Sequence, residues 1–162
     1  MHTSFKSLAV LAAVASASAT SFKLKVHVTD FDLTPSIEGQ EVSVESDTGY
    51  AFLTQAGSGA VFTDPPNSID TDATGSTTHI HITPGGTATV PSLNVVTFSD
   101  EPGTLGVAFD ENTALTYEGG VFTVCPASRL DKDGDNNLVS FKSAGQRTIY
   151  GCANVELQEA TA

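Results

Sequence analysis

Turn-forming glycine, proline, asparagine and aspartate interrupt this chain about every 8 to 12 residues, too often for a helix of three turns to form between them. Between the interruptions the apolar residues alternate. Phe22, Leu24, Val26 and Val28 fall on one face, and Lys23, Lys25, His27 and Thr29 on the other. That period of two is the mark of a strand with one buried face. Asp30 to Pro35 breaks it, Glu41 to Glu45 alternates again, and Asp47-Thr48-Gly49 turns the chain into Tyr50 to Leu53. Gly57-Ser58-Gly59 leads to a short strand over Ala60 to Phe62. Further strands are expected at Thr77 to Thr83, Thr87 to Val90, Leu93 to Phe98, Val107 to Phe109, Ala114 to Tyr117, Val121 to Cys125, Leu138 to Phe141, Thr148 to Tyr150 and Ala153 to Leu157. Many short strands at this spacing predict an all-β protein, an antiparallel β-sandwich or barrel. A β-trefoil is the rival at this length, although no threefold repeat is visible. Residues 63–76, TDPPNSIDTDATGS, are expected to be a loop, because their composition buries too little apolar surface to order itself.

The first 19 residues read as a secretory signal. Lys6 supplies the positive start, Leu8 to Ala15 is an apolar run too short to cross a bilayer, and Ala17-Ser18-Ala19 fits the small-x-small cleavage rule. That leaves 20–162 as a single β domain, exported and folded in an oxidising compartment. Nineteen acids against seven basic residues give a formal net charge of −12, and losing Lys6 with the leader makes it −13. Nucleic acid and anionic membrane are therefore excluded as partners, since binding either needs a positive patch. No asparagine stands in an Asn-x-Ser/Thr sequon, whereas the density of Ser and Thr leaves O-glycosylation open.

Cys125 and Cys152 are the only thiols, and in an oxidising compartment each is the other's natural partner. On the chain-entropy model, closing that loop stabilises the fold by about 3.6 kcal/mol. No Cys-x-x-Cys spacing points to redox chemistry instead.

Gly106, Leu115-Thr116-Tyr117, Gly119-Gly120-Val121-Phe122-Thr123-Val124-Cys125-Pro126 and Gly151-Cys152-Ala153-Asn154-Val155-Glu156-Leu157 follow one another in a layout with a known parallel. It resembles the C-terminal module of small secreted fungal cell-wall proteins, the Pir-type mannoproteins and the phialide group, some of which bind IgE. The resemblance covers Thr104 to Leu157 and implies a wall or surface protein with no catalytic role. Pir-type repeats also carry an Asp-Gly-Gln triplet through which glucan is attached. Here Glu38-Gly39-Gln40 stands once, with glutamate for aspartate, so an ordinary hairpin turn is the reading set against glucan attachment.

Two groups have the chemistry of metal ligands. His79 and His81 sit two apart on one strand and so share a face, while Ile80 and Ile82 take the core side. Two imidazoles grip Zn²⁺ or Cu²⁺ only with a third ligand, and surface histidines are the competing reading. Asp131, Asp133 and Asp135 resemble the front of a calcium loop. Asn136 stands where such a loop needs glycine, and Lys142 where it needs glutamate, so a polar turn competes with weak calcium binding. No catalytic residue and no cofactor is assigned: neither a Gly-x-Ser-x-Gly elbow nor a His-Glu-x-x-His helix occurs. Acid pairs such as Asp110 and Glu111 point to opposite faces of a strand, and the chain has no tryptophan to line a sugar cleft. The expectation is a secreted, non-enzymatic fungal wall or surface protein of structural or interaction type. Its partners are then wall polysaccharide or a wall protein. A polysaccharide- or metal-binding module and a small effector or antigen binding a host protein are the alternatives.

Overall fold

In the computed structural model, which describes residues 20–162, the chain forms twelve strands. The signal expected over 1–19 lies outside the described residues. In order they are β1 (Ser21–Asp30), β2 (Glu41–Val44), β3 (Ala51–Thr54), β4 (Phe62–Thr63), β5 (Asp70–Thr71), β6 (Thr78–His81), β7 (Thr97–Ser99), β8 (Ala108–Phe109), β9 (Leu115–Thr116), β10 (Val121–Pro126), β11 (Asn137–Lys142) and β12 (Ala153–Thr161). One short 3-10 turn, Ala127–Leu130, follows β10.

The strand that organises the others is β1. Along one edge it pairs antiparallel with β12, from Phe22 opposite Thr161 to Val28 opposite Val155, with an irregularity before Asp30 meets Asn154. Its other edge is shared, Lys25 opposing Glu41 of β2 while Ser21 and Phe22 oppose Thr63 and Phe62 of β4. Through β2 the sheet closes: β1, β2, β3, β11, β10 and β12 form a six-strand antiparallel barrel. Closure removes the exposed edges that an open sheet would leave. Through β4 a second arm, β4-β5-β6-β7, leaves the barrel. Its far end returns to the wall, where Tyr50 bridges Thr97 and Val95 bridges Ser140. The amide of Val96 donates to the Val139 carbonyl at 2.8 Å, and that of Ala51 to the Val96 carbonyl at 2.9 Å.

The alternation expected for β1 is what fills the barrel. Phe22, Leu24 and Val26 are each 1% exposed and pack with Val42, Phe62, Ile80, Phe98, Val124 and Val155 in one cluster. Full burial of such side chains contributes about 1.5–3 kcal/mol apiece. Phe22 meets Phe109 edge-on at 5.0 Å between centroids, which anchors the β8–β9 ribbon against the core. Glu41 is a buried carboxylate that keeps its charge. Burial opposes ionisation, but the Gly57 and Gly59 amides and the Lys23 ammonium, 3.1 Å away, outweigh it and hold its pKa below the ordinary value. A second cluster gathers Val95, Cys125, Ala127, Leu130, Leu138 and Cys152 around the disulfide. That bond joins the end of β10 to the approach to β12 across 4.3 Å between Cα atoms, closing a loop of 27 residues.

The barrel replaces the trefoil alternative, and the disulfide pairs as expected. Five local expectations are corrected. Residues 63–76 are not one irregular loop: β4 ends and β5 lies within them, and Ile69 is 1% exposed. β4 and β5 pair with each other, β5 with the following β6 and β4 with β1, which is distant in sequence, so the local composition does not show them. Thr87 to Val90 and Thr148 to Tyr150 form no strands, the first being a turn closed by the Thr87 amide on the Val90 carbonyl at 2.7 Å and by a bridge between Gly86 and Pro91. The strand expected over Leu93 to Phe98 shrinks to Thr97–Ser99 with the Val95 bridge, while β12 runs past Leu157 to Thr161, where β1 gives it a full-length partner.

Candidate functional site

His79 and His81 share one half-buried face of β6, and each is tied to a neighbouring strand. His79 Nδ1 lies 2.7 Å from Asp70 Oδ1 on β5, and His81 Nε2 lies 2.9 Å from Ser99 Oγ on β7. His27 is engaged elsewhere, with Nδ1 3.2 Å from Glu38 Oε1. In the aspartate loop, Asp131 takes a left-handed conformation (φ 56°) that ends the 3-10 turn. The Asn136 side-chain amide donates to Glu45 at 2.7 Å. Among the described residues, no group of three or more His, Cys, Asp or Glu side chains comes together as a metal ion would need. The triplet Glu38-Gly39-Gln40 is a turn folded onto β1. The Gly39 amide donates to the Val26 carbonyl at 2.9 Å, and the Val28 amide donates to the Glu38 carboxylate at 2.7 Å. That amide, against the opposing effect of burial and with help from His27, keeps the Glu38 pKa below the ordinary value.

Elsewhere the fold builds a cleft that none of these residues foretold. Four segments outside the strands converge where β10 ends and β12 begins: Phe31 to Leu33, Thr89 to Leu93, Arg129, and Arg147 to Cys152. They enclose about 920 Å³. Of the large apolar side chains left exposed, Phe31, Val90, Leu93 and Tyr150 all lie here, Tyr150 at 86%. Scattered exposed apolar residues need no explanation, but four on one concavity do. The disulfide forms part of its floor through Cys152.

Both arginines of the chain also line this cleft. Among the described residues the ion pairs are Lys23–Glu41, His27–Glu38 and His79–Asp70, so neither guanidinium has a carboxylate partner although nineteen acids are present. Arg129 instead lies over the Tyr150 ring, 5.3 Å from its centroid, a cation–π contact. Gly151 makes room for that contact. A Cβ there would stand 2.9 Å from Arg129 Nε, and its φ of 84° suits glycine alone. Arg147 is exposed.

The walls are braced by their own hydrogen bonds. Gln146 Nε2 donates to the Gly85 carbonyl at 2.6 Å, and Lys142 Nζ donates to Thr148 Oγ1 at 2.8 Å. Thr148 in turn donates to Asn154 Oδ1 at 2.7 Å. On the facing side Phe31 adopts φ 57°, rare for a bulky residue, and its amide donates to Asp30 Oδ1 at 3.0 Å. Strain of this kind costs about 1–3 kcal/mol and concentrates at ligand clamps. The one carboxylate in the lining, Asp32, accepts from the Ser36 hydroxyl and the Leu33 and Ile37 amides. The Ser36 bond comes first in holding its pKa below the ordinary value, burial opposing it and the two amides adding to it. With its oxygens so occupied, Asp32 is part of the loop's own frame. The cleft thus offers cationic donors and apolar surface, which suits holding an anion on an apolar body.

A second, smaller recess of about 480 Å³ runs along β4 and β5, lined by Thr63, Asp70, Thr71, Asp72 and Thr77 among others. Its polar groups are joined to one another. Asp70 holds His79, Asp72 accepts from Thr77 Oγ1 at 2.7 Å, and Thr71 Oγ1 donates to the Val61 carbonyl at 2.7 Å.

Sequence reasoning missed the first cleft. The available signal was the placing of the only two arginines, 129 and 147, one near each end of the disulfide loop. Residues 19–160 match the family model described as Domain of unknown function (DUF7907), and the chain belongs to that family. No curated protein and no solved structure matches it.

Proposed function

We propose that this protein is a secreted, non-enzymatic protein of the fungal wall or surface that works by binding, with the cleft between Phe31, Val90, Arg147 and Tyr150 as its contact surface. The observation that carries the reading is the convergence there of four exposed apolar side chains and both arginines. A polar group joined into its own fold serves that fold, whereas an unpaired guanidinium beside exposed apolar surface is an arrangement that a ligand completes. The leader read from the sequence, the disulfide and the layout of Thr104 to Leu157 support export and a wall or surface site. Among the described residues, no helix is long and apolar enough to cross a membrane.

Fractionation of the producing cells tests this. Retention of the protein on walls after hot detergent, lost in a Tyr150→Ala, Arg147→Gln double variant that keeps its melting temperature, is the expected result. Complete release into the medium would point to an effector acting on another organism. The exposure of Tyr150 favours one second reading, a module that stacks on wall sugar. Pull-down on insoluble glucan or chitin, abolished by Tyr150→Ala alone, would favour it.

A further inference from the structure

We propose that the cleft takes one amphipathic anion, a carboxylate on an unbranched apolar chain, with its head on Arg147 and its tail along Phe31, Val90 and Leu93. This rests on the reading of the cleft as the contact surface and names what fills it.

A chain of net charge −12 repels anions at long range, yet its two arginines line one cleft and neither is paired with a carboxylate among the described residues. At physiological salt, fields are screened beyond about 8 Å, so a bound anion feels Arg147 and its immediate neighbours more than the distant acids. Arg129 lies over Tyr150 with Gly151 beneath it. Arg147 is therefore the guanidinium left to meet a head group, and its planar fork suits the two oxygens of a carboxylate. An exposed ion pair alone contributes only about 0–1 kcal/mol. A small anion such as acetate or chloride is accordingly held poorly, and the ligand must bring apolar surface. Phe31, Val90, Leu93 and, partly buried, Leu33, Pro91 and Ile149 supply the surface it covers.

Size and preparation agree. The cleft's volume of about 920 Å³ lies in the range of about 300–1,000 Å³ typical of small-molecule sites. The bonds of Gln146 to Gly85 and of Lys142 to Thr148 set the walls before a ligand arrives, which lowers the ordering cost of binding. Asp32 lines the same cleft with the sign opposite to Arg147, so a cationic amphiphile serves as the control.

The test is calorimetric titration of the secreted protein with dodecanoate below its micelle concentration, beside dodecan-1-ol and dodecyltrimethylammonium. One equivalent of dodecanoate is expected to bind, with both controls about three- to fivefold weaker or more weakly still. Arg147→Gln is expected to weaken dodecanoate about three- to fivefold, the loss of an ion pair near the top of its range, and to leave dodecan-1-ol unchanged. Leu93→Ser is expected to weaken both ligands. Melting temperatures within 2 °C of the parent, about the shift of a sub-kcal/mol change, show that the variants fold. Equal binding of dodecanoate and dodecan-1-ol would overturn the proposal, as would an Arg147→Gln protein that binds like the parent. Capture by anionic phospholipid vesicles in preference to dodecanoate in solution would do the same. A protein that ignores dodecanoate yet stays on walls through Arg147 and Tyr150 overturns the ligand and leaves the wall reading standing. One that binds dodecanoate and leaves the walls freely does the reverse.

Discussion

Along β4 and β5 lies a recess with two carboxylates, and at the disulfide end lies a cleft with two guanidiniums. In the recess, Asp70 holds His79 and Asp72 takes the Thr77 hydroxyl, so charge and hydrogen bonds go to joining strands. In the cleft, Arg129 lies on an exposed ring and neither arginine meets a carboxylate among the described residues. The recess is the smaller and holds one large exposed apolar side chain, Val61, while the cleft gathers four. Concavity alone therefore does not mark a site here. What separates the two is whether the polar atoms already have partners, because a satisfied group gains little from a newcomer.

The largest test removes the cleft's floor. The Cys125→Ala, Cys152→Ala variant is expected to lose about 2–5 kcal/mol in urea unfolding, and with it the dodecanoate site. A double variant that unfolds like the parent would show that the cleft end is held by packing alone. Next comes the arm that carries the recess. Ile69→Ala opens a cavity at a side chain only 1% exposed and is expected to cost about 2–5 kcal/mol. A loss below about 0.5 kcal/mol would return residues 63–76 to the status of a surface loop. Gly151→Ala is a finer probe of the cleft: it forces a left-handed alanine, at about 1–2 kcal/mol, and pushes Arg129 aside. The upfield shift that the Tyr150 ring imposes on the Arg129 side-chain protons should vanish from the NMR spectrum. Asp70→Asn is expected to cost about 0.5–1.5 kcal/mol and to leave ligand binding unchanged. A weakened dodecanoate affinity in that variant would break the separation between the two regions.

The smallest effect concerns pH. The folded pKa of Asp32 lies below its ordinary value of 3.8. The unfolded state therefore binds the proton first on acidification. The stabilisation from Asp32 is complete above that ordinary value and is lost as pH falls through the folded one. Asp32→Asn should thus be slightly less stable than the parent at pH 7, match it by about pH 2 and flatten the fall between about pH 4 and 2, read from urea midpoints. An acid limb as steep as the parent's would assign the slope to other carboxylates, of which Glu41 and Glu38 have pKa values lowered in the same way.

How much of this was legible in advance differs by element. In β1, Phe22, Leu24 and Val26 alternate with Lys23, Lys25 and His27, and the buried face is the one the alternation names. Pairing Cys125 with Cys152 needed only a count. The register of His79 and His81 was readable from the period of two, but Asp70 and Ser99, which engage them, come from strands that nothing local ties to β6. Ile69 is one apolar residue among prolines, aspartates and threonines, and its burial depends on β4 and β6 flanking its segment. The cleft was least legible, since its lining comes from four separated loops, and loops carry no periodic pattern.

From its own residues the chain determined that it would be all strand, that one face of β1 would be buried, and that its two sulfurs would join. Those outcomes follow from periods of two, from breakers that forbid long helices and from the absence of any other thiol. Tertiary structure alone decided that β1 would serve three partners and that a four-strand arm would leave the barrel and return. It alone brought Phe31, Val90, Leu93, Tyr150 and both arginines to one place. Backbone hydrogen bonding is the same for every strand, so local sequence says that an edge must be paired without saying by which partner. The choice is made by the side chains that fit together once the barrel closes.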